Sequence, residues 1–225
     1  MDDSIVSFRN VTVHKRGAEL LRDITFELAP RSLTFVTGAN GAGKSTLLRL
    51  CHGREVISRG EARVFGCNFQ TAPEDAQHAV RRRIGLVLEG SRLMDHLSAF
   101  DNVALPLRLA GYRRSRYTKD VEELVTWVGL GDKMHTNAAV LSAGERQRIA
   151  IARAIVGKPD LLLADDPTAA LDDEATDRVM RLLLNIHHVG TTVVVATSNR
   201  KLAAVSGAGE IWLSCGSLAP AETAA

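Results

Sequence analysis

The sequence predicts an α/β fold: a mainly parallel sheet covered by helices, with an antiparallel β subdomain before it and an α-helical subdomain inserted into it. Three observations predict this. Short apolar runs follow one another at Leu161–Ala164, Thr192–Ala196 and Ile211–Leu213, with the helical segment Asp173–His188 between the first two. Two alternating segments, Ile5–Val13 and Leu20–Leu28, open the chain. The stretch from about Glu89 to Gly157 reads almost wholly as helix.

The two opening segments alternate apolar and polar residues, as half-buried strands do. A turn at Arg16-Gly17 joins them, so they should pair antiparallel. Leu33–Thr37 is apolar throughout and leads into a glycine-rich loop, which predicts a buried strand. A helix then starts at Lys44 and runs to Cys51, with Leu47, Leu48 and Leu50 for its apolar face. Ile84–Leu88 is a further buried strand. Asp101 is a good N-cap for a helix over Asp101–Ala110, and Gly111 stops it. Helices over Val121–Val128 and Ser142–Val156 follow. Residues 1–216 therefore form one domain, with the helical subdomain at about 89–157. The small, polar stretch Ser217–Ala225 reads as a flexible tail.

At 225 residues the chain suits one domain with an insertion. Its net charge of +2 gives no support to nucleic-acid binding. Arginines gather locally, at Arg81, Arg82 and Arg83 and again at Arg113, Arg114 and Arg116. They are either solvated helix faces or residues near an anionic membrane surface. Cys51, Cys67 and Cys215 are scattered, with no metal-ligand spacing or disulfide pattern, which fits a reducing cytosol. The acidic opening MDDSIVSFRN lacks the apolar core of a signal peptide. No run approaches the roughly 18 apolar residues of a membrane span. A membrane role would need a separate membrane partner.

Gly38-Ala39-Asn40-Gly41-Ala42-Gly43-Lys44-Ser45 fits the phosphate-loop pattern G-x-x-x-x-G-K-[ST], and Thr46 continues it into the helix. The glycines let successive backbone N–H groups turn toward phosphate oxygens. The helix that starts at Lys44 aims its positive end at the same anion. Lys44 should bridge the β- and γ-phosphates, and the Ser45 hydroxyl should hold Mg²⁺. A GTPase should also show a guanine-reading N-K-x-D element, which is absent.

The second informative stretch is LSAGERQRIAIARAIVGKPDLLLADDPTAALD, Leu141 to Asp172. Asp165 ends a buried strand, where a carboxylate suits Mg²⁺ or its water shell. Asp166 comes next and should point elsewhere along the pleat.

LSAGERQR resembles the signature motif of ATP-binding-cassette (ABC) ATPases, and ADDPTAALD resembles their second nucleotide motif and the loop after it. Within that superfamily VTGANGAGKSTLLRL, RLMDHLSAFDNVALPLRLAG and LLLADDPTAALDD are most similar to the FtsE group, cell-division ATPases that partner the membrane protein FtsX. Lipoprotein-releasing and macrolide-exporter ATPases are similar as well. The resemblance covers essentially the whole chain and implies a P-loop NTPase core that binds ATP and Mg²⁺. It implies an ATP-dependent homodimer with two nucleotides sandwiched head to tail. Ser142 and Gly144 of one subunit would reach the γ-phosphate held by the other, and Asp172 would help couple the sites. Leu93, Met94, Leu97 and Phe100 would line the groove for the membrane partner, or else belong to ordinary core. The implied role is an FtsX-partnered ATPase, peripheral on the cytoplasmic face of the membrane, that controls cell-wall hydrolysis at division. The alternative is the ATPase of a lipoprotein or macrolide exporter.

The sequence departs from the family pattern at several positions. Glu89 stands where a glutamine is usual, and it keeps an oxygen for Mg²⁺ or its water. Asp166 replaces the usual catalytic glutamate and is one methylene, about 1.5 Å, shorter. A general base must sit within roughly 3 Å of the proton it takes. Ser198 replaces the usual histidine, unless Asn199 supplies that donor. His14 or Lys15 occupies the place of an adenine-stacking tyrosine, and Ala143 replaces the first signature glycine. Two readings follow: an ATPase slowed by Asp166 and Ser198, and an ATP-binding switch that barely hydrolyses.

Overall fold

The computed structural model describes residues 4–15, 17–203 and 208–219. Strands β1 (Val6–Lys15) and β2 (Ala18–Leu28) pair antiparallel. Arg16 of the expected turn lies outside the described residues. Val6, Phe8, Val11 and Val13 are all buried although their spacing breaks the period of two. A register shift between Phe8 and Val11 absorbs the extra residue, with Asn10 at φ 49. Such a bulge returns the apolar side chains to the core, and asparagine tolerates the left-handed backbone.

After β3 (Leu33–Thr37) and α1 (Lys44–Cys51) come two elements with little sequence signal. Strand β4 (Arg59–Val64) completes the antiparallel sheet in the order β2-β1-β4. Only Val64 of its residues is fully buried, so no alternation announces it. Helix α2 (Glu74–Arg82) likewise buries only Val80. Strand β5 (Ile84–Val87) then enters the main sheet.

The helical insertion contains α3 (Ala99–Leu109), α4 (Arg114–Trp127) and α5 (Ala143–Ile155). Ser98, not Asp101, caps α3: its Oγ accepts the Asp101 N–H at 3.0 Å and donates to Asp101 Oδ2. Asp101 falls in the first turn because buried Ala99 and Phe100 are drawn into the helix ahead of it. Helix α4 starts before Val121, since Tyr117 extends the buried stripe of Val121 and Val125 by one turn.

The chain closes with β6 (Leu161–Asp165), α6 (Asp173–His188), β7 (Thr192–Thr197), α7 (Arg200–Ala203), β8 (Gly209–Ser214) and β9 (Ser217–Leu218). The main sheet runs β5-β6-β7-β3-β8-β9, parallel except for β9, which pairs antiparallel with β8. Ser217 and Leu218 are thus strand rather than tail, and residues 220–225 lie outside the described residues. Leu162, Ala164, Val193 and Val195 face a core shared with α3 to α6. Leu161, Leu163, Val194 and Ala196 face a second core shared with α1 and the antiparallel sheet. Burial on both faces explains why these strands read as unbroken apolar runs. Their carboxyl ends converge at the loop between β3 and α1, where such folds bind ligands.

Candidate functional site

The loop from Gly38 to Gly43 depends on its glycines. Gly38 has φ 150, and a Cβ there would lie 2.3 Å from the Leu213 carbonyl oxygen. Gly43 has φ 104, and its Cβ would lie 2.7 Å from Leu21 Cδ2. Gly43 also occupies the N-cap of α1, with no side-chain cap and no acidic residue in the first turn. The N–H groups and positive dipole end of α1 therefore face the loop without a competing carboxylate from its own first turn. Lys44 is buried, and its Nζ donates to the carbonyls of Gly38 at 2.8 Å and Ala39 at 3.0 Å. These bonds hold the ammonium over the cradle.

Ser45 Oγ donates to Asp165 Oδ1 at 2.8 Å, joining the start of α1 to the end of β6. Around this pair lies a cleft of about 580 Å³, lined by Asn40, Gly41, Gly43, Lys44, Ser45, Thr46, Glu89, Asp165, Asp166 and Ser198. The structure therefore gathers the cradle, the three carboxylates and Ser198 into one place. Gly38, Ala39 and Ala42 line the adjoining side of the loop, again with Ser198.

Burial raises the Asp165 carboxyl above its ordinary range, against the Ser45 hydrogen bond and the charges of Arg49 and Lys44. Burial also raises Asp166; Lys44 opposes this, while Glu89 and Asp165 add to it. Three carboxylates thus share a partly dry cleft with two cations, an arrangement suited to a bound cation and a polyanion together. Ser45 and Asp165 offer hard oxygens of the kind Mg²⁺ takes. Among the described residues, no three acidic, histidine or cysteine side chains could hold a metal by themselves. A cation here would complete its shell from phosphate and water, as Mg²⁺ does in nucleotide sites.

Asp166 does not continue the pleat of β6, contrary to the sequence expectation. Its φ is 42, and its N–H donates to the Ala196 carbonyl at 2.9 Å. This left-handed turn, which aspartate tolerates, brings Asp166 into the same cleft as Asp165. Ser198 lines the cleft too, whereas Asn199 Oδ1 accepts the Lys201 N–H at 3.1 Å, at the start of α7.

His14 is not brought to the cleft. Its Nε2 lies 3.5 Å from Glu19 Oε2 and its N–H donates to Ser58 Oγ, while Lys15 pairs with Glu55. Ser142 and Gly144 also stand apart from the cradle of their own chain. Ser142 caps α5 in a reciprocal box with Glu145, which Lys133 pairs at 2.5 Å. They line a separate recess with Asp172, Arg148 and Arg178. Of the expected groove residues, Leu93 and Phe100 belong to the core, and Met94 and Leu97 reach the surface.

Two contributors carry no motif. Arg49, one turn along α1, lines the cleft and bonds Thr46 Oγ1. Asn102 is fully buried; its Oδ1 accepts the Met94 N–H, and its Nδ2 donates to the carbonyls of Met94, Leu97 and Ser98. It fixes the Met94–Ser98 turn. A polar residue on the apolar stripe of Ala99, Phe100 and Val103 was the available signal.

With this geometry in view, a family profile described as ABC transporter matches residues 21–169. The cell division ATP-binding protein FtsE of Escherichia coli K12 is 37% identical over 199 residues, spanning 88% of this chain and 90% of that protein. The methionine import ATP-binding protein MetN 2 of Burkholderia mallei is 40% identical over 181 residues, spanning 80% of this chain and 46% of that protein. Among solved structures, the dimeric post-hydrolysis state of the ATP-binding cassette MJ0796, bound to ADP and Pi, superposes with TM-score 0.85 at 30% identity, covering 96% of this chain and 97% of that one. The cbiO1 subunit of Clostridium perfringens, part of the ABC transporter complex cbiONQ, superposes with TM-score 0.87 at 23% identity, covering 97% of this chain and 88% of that one; it shares the fold.

Proposed function

Because the chain belongs to the ABC transporter family of ATPases, we propose that it is the ATP-binding subunit of an FtsEX-like complex, relaying ATP state to a membrane partner that controls cell-wall hydrolysis in cell division. One observation carries the choice within the family: the likeness to FtsE runs along 88% of this chain and 90% of that protein.

ATP binds at the loop 38–45, with Lys44 on its β- and γ-phosphates. Mg²⁺ would supply charge neutralisation there, and Ser45 and Asp165 would hold it, with Glu89 lining the same cleft. Asp166 is the general base, and Ser198 donates to the γ-phosphate. Both side chains are shorter than the family's usual glutamate and histidine, which makes hydrolysis slow while leaving binding intact. Two copies close head to tail around two nucleotides. The separation of Ser142 and Gly144 from their own cradle supports this arrangement, since a second copy is needed to complete each site. The complex sits on the cytoplasmic face of the membrane, with Met94 and Leu97 beside the partner. Among the described residues no helix is long and apolar enough to cross a membrane.

The identity to MetN supports a second reading, an importer ATPase with a permease partner. Affinity capture of the tagged chain from detergent-solubilised membranes of its own organism separates the two. An FtsX-like four-span protein with an extracytoplasmic loop is expected. Capture of an importer permease would replace the first reading with the second.

A further inference from the structure

The hairpin between α3 and α4 is unlike the rest of the surface. Every residue from Arg108 to Arg116 is exposed. Leu109 and Tyr112 project from it with 80% and 52% of their surface in solvent. Around them stand Arg108, Arg113, Arg114, Arg116 and Lys119, of which Arg108 pairs with Asp101, Lys119 with Glu123, and Arg114 lies over the Phe100 ring; the sequence holds no acidic residue between Asp101 and Asp120. Arg113 and Arg116 have no acidic partner among the described residues. The chain as a whole is nearly neutral, so this concentration of charge is local.

We infer that this tip is a contact surface for an anionic lipid bilayer. A protruding leucine and tyrosine within a ring of cations is the chemistry of interfacial binding. The apolar groups enter the headgroup boundary, and the arginines meet lipid phosphates. An acidic protein face would satisfy the arginines but would need a shaped pocket for Leu109 and Tyr112. A fluid bilayer accommodates both without one. Placement supports this assignment. Helix α3 begins at the Met94–Ser98 turn and carries the tip along its 11 residues, about 16 Å. A chain held at a membrane protein by that turn keeps its tip within reach of the surrounding lipid. The tip touches none of the nucleotide cleft, so the lipid contact stands or falls apart from the reading of the ATP site.

Co-sedimentation of the purified full chain with vesicles tests it, without nucleotide or membrane partner. Binding is expected to vesicles containing about one third phosphatidylglycerol and not to pure phosphatidylcholine, and it should weaken as salt shortens the screening length. Arg113→Gln with Arg116→Gln should lower affinity by about tenfold or more, at roughly fivefold per arginine. Leu109→Ser with Tyr112→Ser should also lower it, at unchanged charge. All variants should keep wild-type melting temperature and nucleotide binding. No sedimentation with anionic vesicles overturns the inference, as do variants that bind like wild type. Loss of capture by the membrane partner alone, with vesicle binding absent, also overturns it and assigns the tip to an acidic protein face.

Discussion

Ser45 Oγ and Asp165 Oδ1 stand 2.8 Å apart, tying the first turn of α1 to the carboxyl end of β6. The bond sets two hard oxygens side by side and holds Asp165 against the burial that raises its pKa. Asp165→Asn should remove the Mg²⁺ dependence of ATP affinity. Ser45→Ala should weaken that dependence and lower nucleotide-free stability by about 1 kcal/mol. Titration calorimetry with and without chelator, and urea melts, measure the two effects. If both variants keep full Mg²⁺-dependent tightening, the cation is held elsewhere.

Asp166 and Ser198 share the cleft with Lys44. If the shorter carboxylate limits the chemistry, Asp166→Glu should raise turnover by about tenfold or more, since a placed general base supplies 10²–10⁴. Ser198→His should raise it further by adding a longer donor to the γ-phosphate. Multiple-turnover phosphate release in the presence of the membrane partner is the measurement. Turnover that stays level or falls would put the base on another residue or the slow step outside chemistry.

Much of this cleft was legible because its motifs sit at the ends of strongly patterned elements. Strands β3, β6 and β7 are buried on both faces, so their apolar runs stand out and fix where the loop and Asp165 emerge. Helix α6 matched its expected span, since Asp172 caps it and accepts the Ala175 N–H at 2.7 Å. Strand β4 was missed because an edge strand with a single buried residue carries no alternation. The position of Asp166 was misjudged because its left-handed turn is a backbone property that residue type only permits. Asn102 carries no motif, and its role appears only once the turn it binds is folded onto it.

His52 gives a pH dependence that is separate from the cleft. It closes α1, is 7% exposed, and its Nδ1 is buried with no hydrogen-bond partner. Burial, then the charges of Arg54 and Arg81, lower its pKa from 6.5 to about 4. The unfolded chain therefore binds this proton at higher pH than the folded one. The contribution is fully present above about pH 6.5 and is lost as pH falls toward 4, reaching roughly 3 kcal/mol. Urea melts from pH 7 to pH 4.5 should show wild type losing stability over that window and His52→Leu losing less. Parallel slopes in the two proteins would mean that His52 is charged in the fold or that other groups carry the dependence.

The separation of Ser142 and Gly144 from Lys44 predicts complementation between two inactive chains. Each site of a head-to-tail dimer would take its cradle from one copy and its signature residues from the other. Lys44→Ala should abolish nucleotide binding at its own cradle. Gly144→Asp should keep its cradle but set a carboxylate against the partner's γ-phosphate; its Cβ falls 3.0 Å from that of Ala175, so α6 must shift by a few tenths of an ångström to admit it. Each variant alone should be inactive. In a mixed dimer one site collects both defects and the other collects neither. An equimolar mixture, with half its dimers mixed, should recover about a quarter of the wild-type rate if the sites act independently. Phosphate release from the mixture, read against each variant alone, gives the answer. A mixture as inactive as its parts would mean that both sites must fire together or that each copy completes its own site. A nucleotide-bound mixed dimer seen in solution would favour the first of these, and a monomer the second.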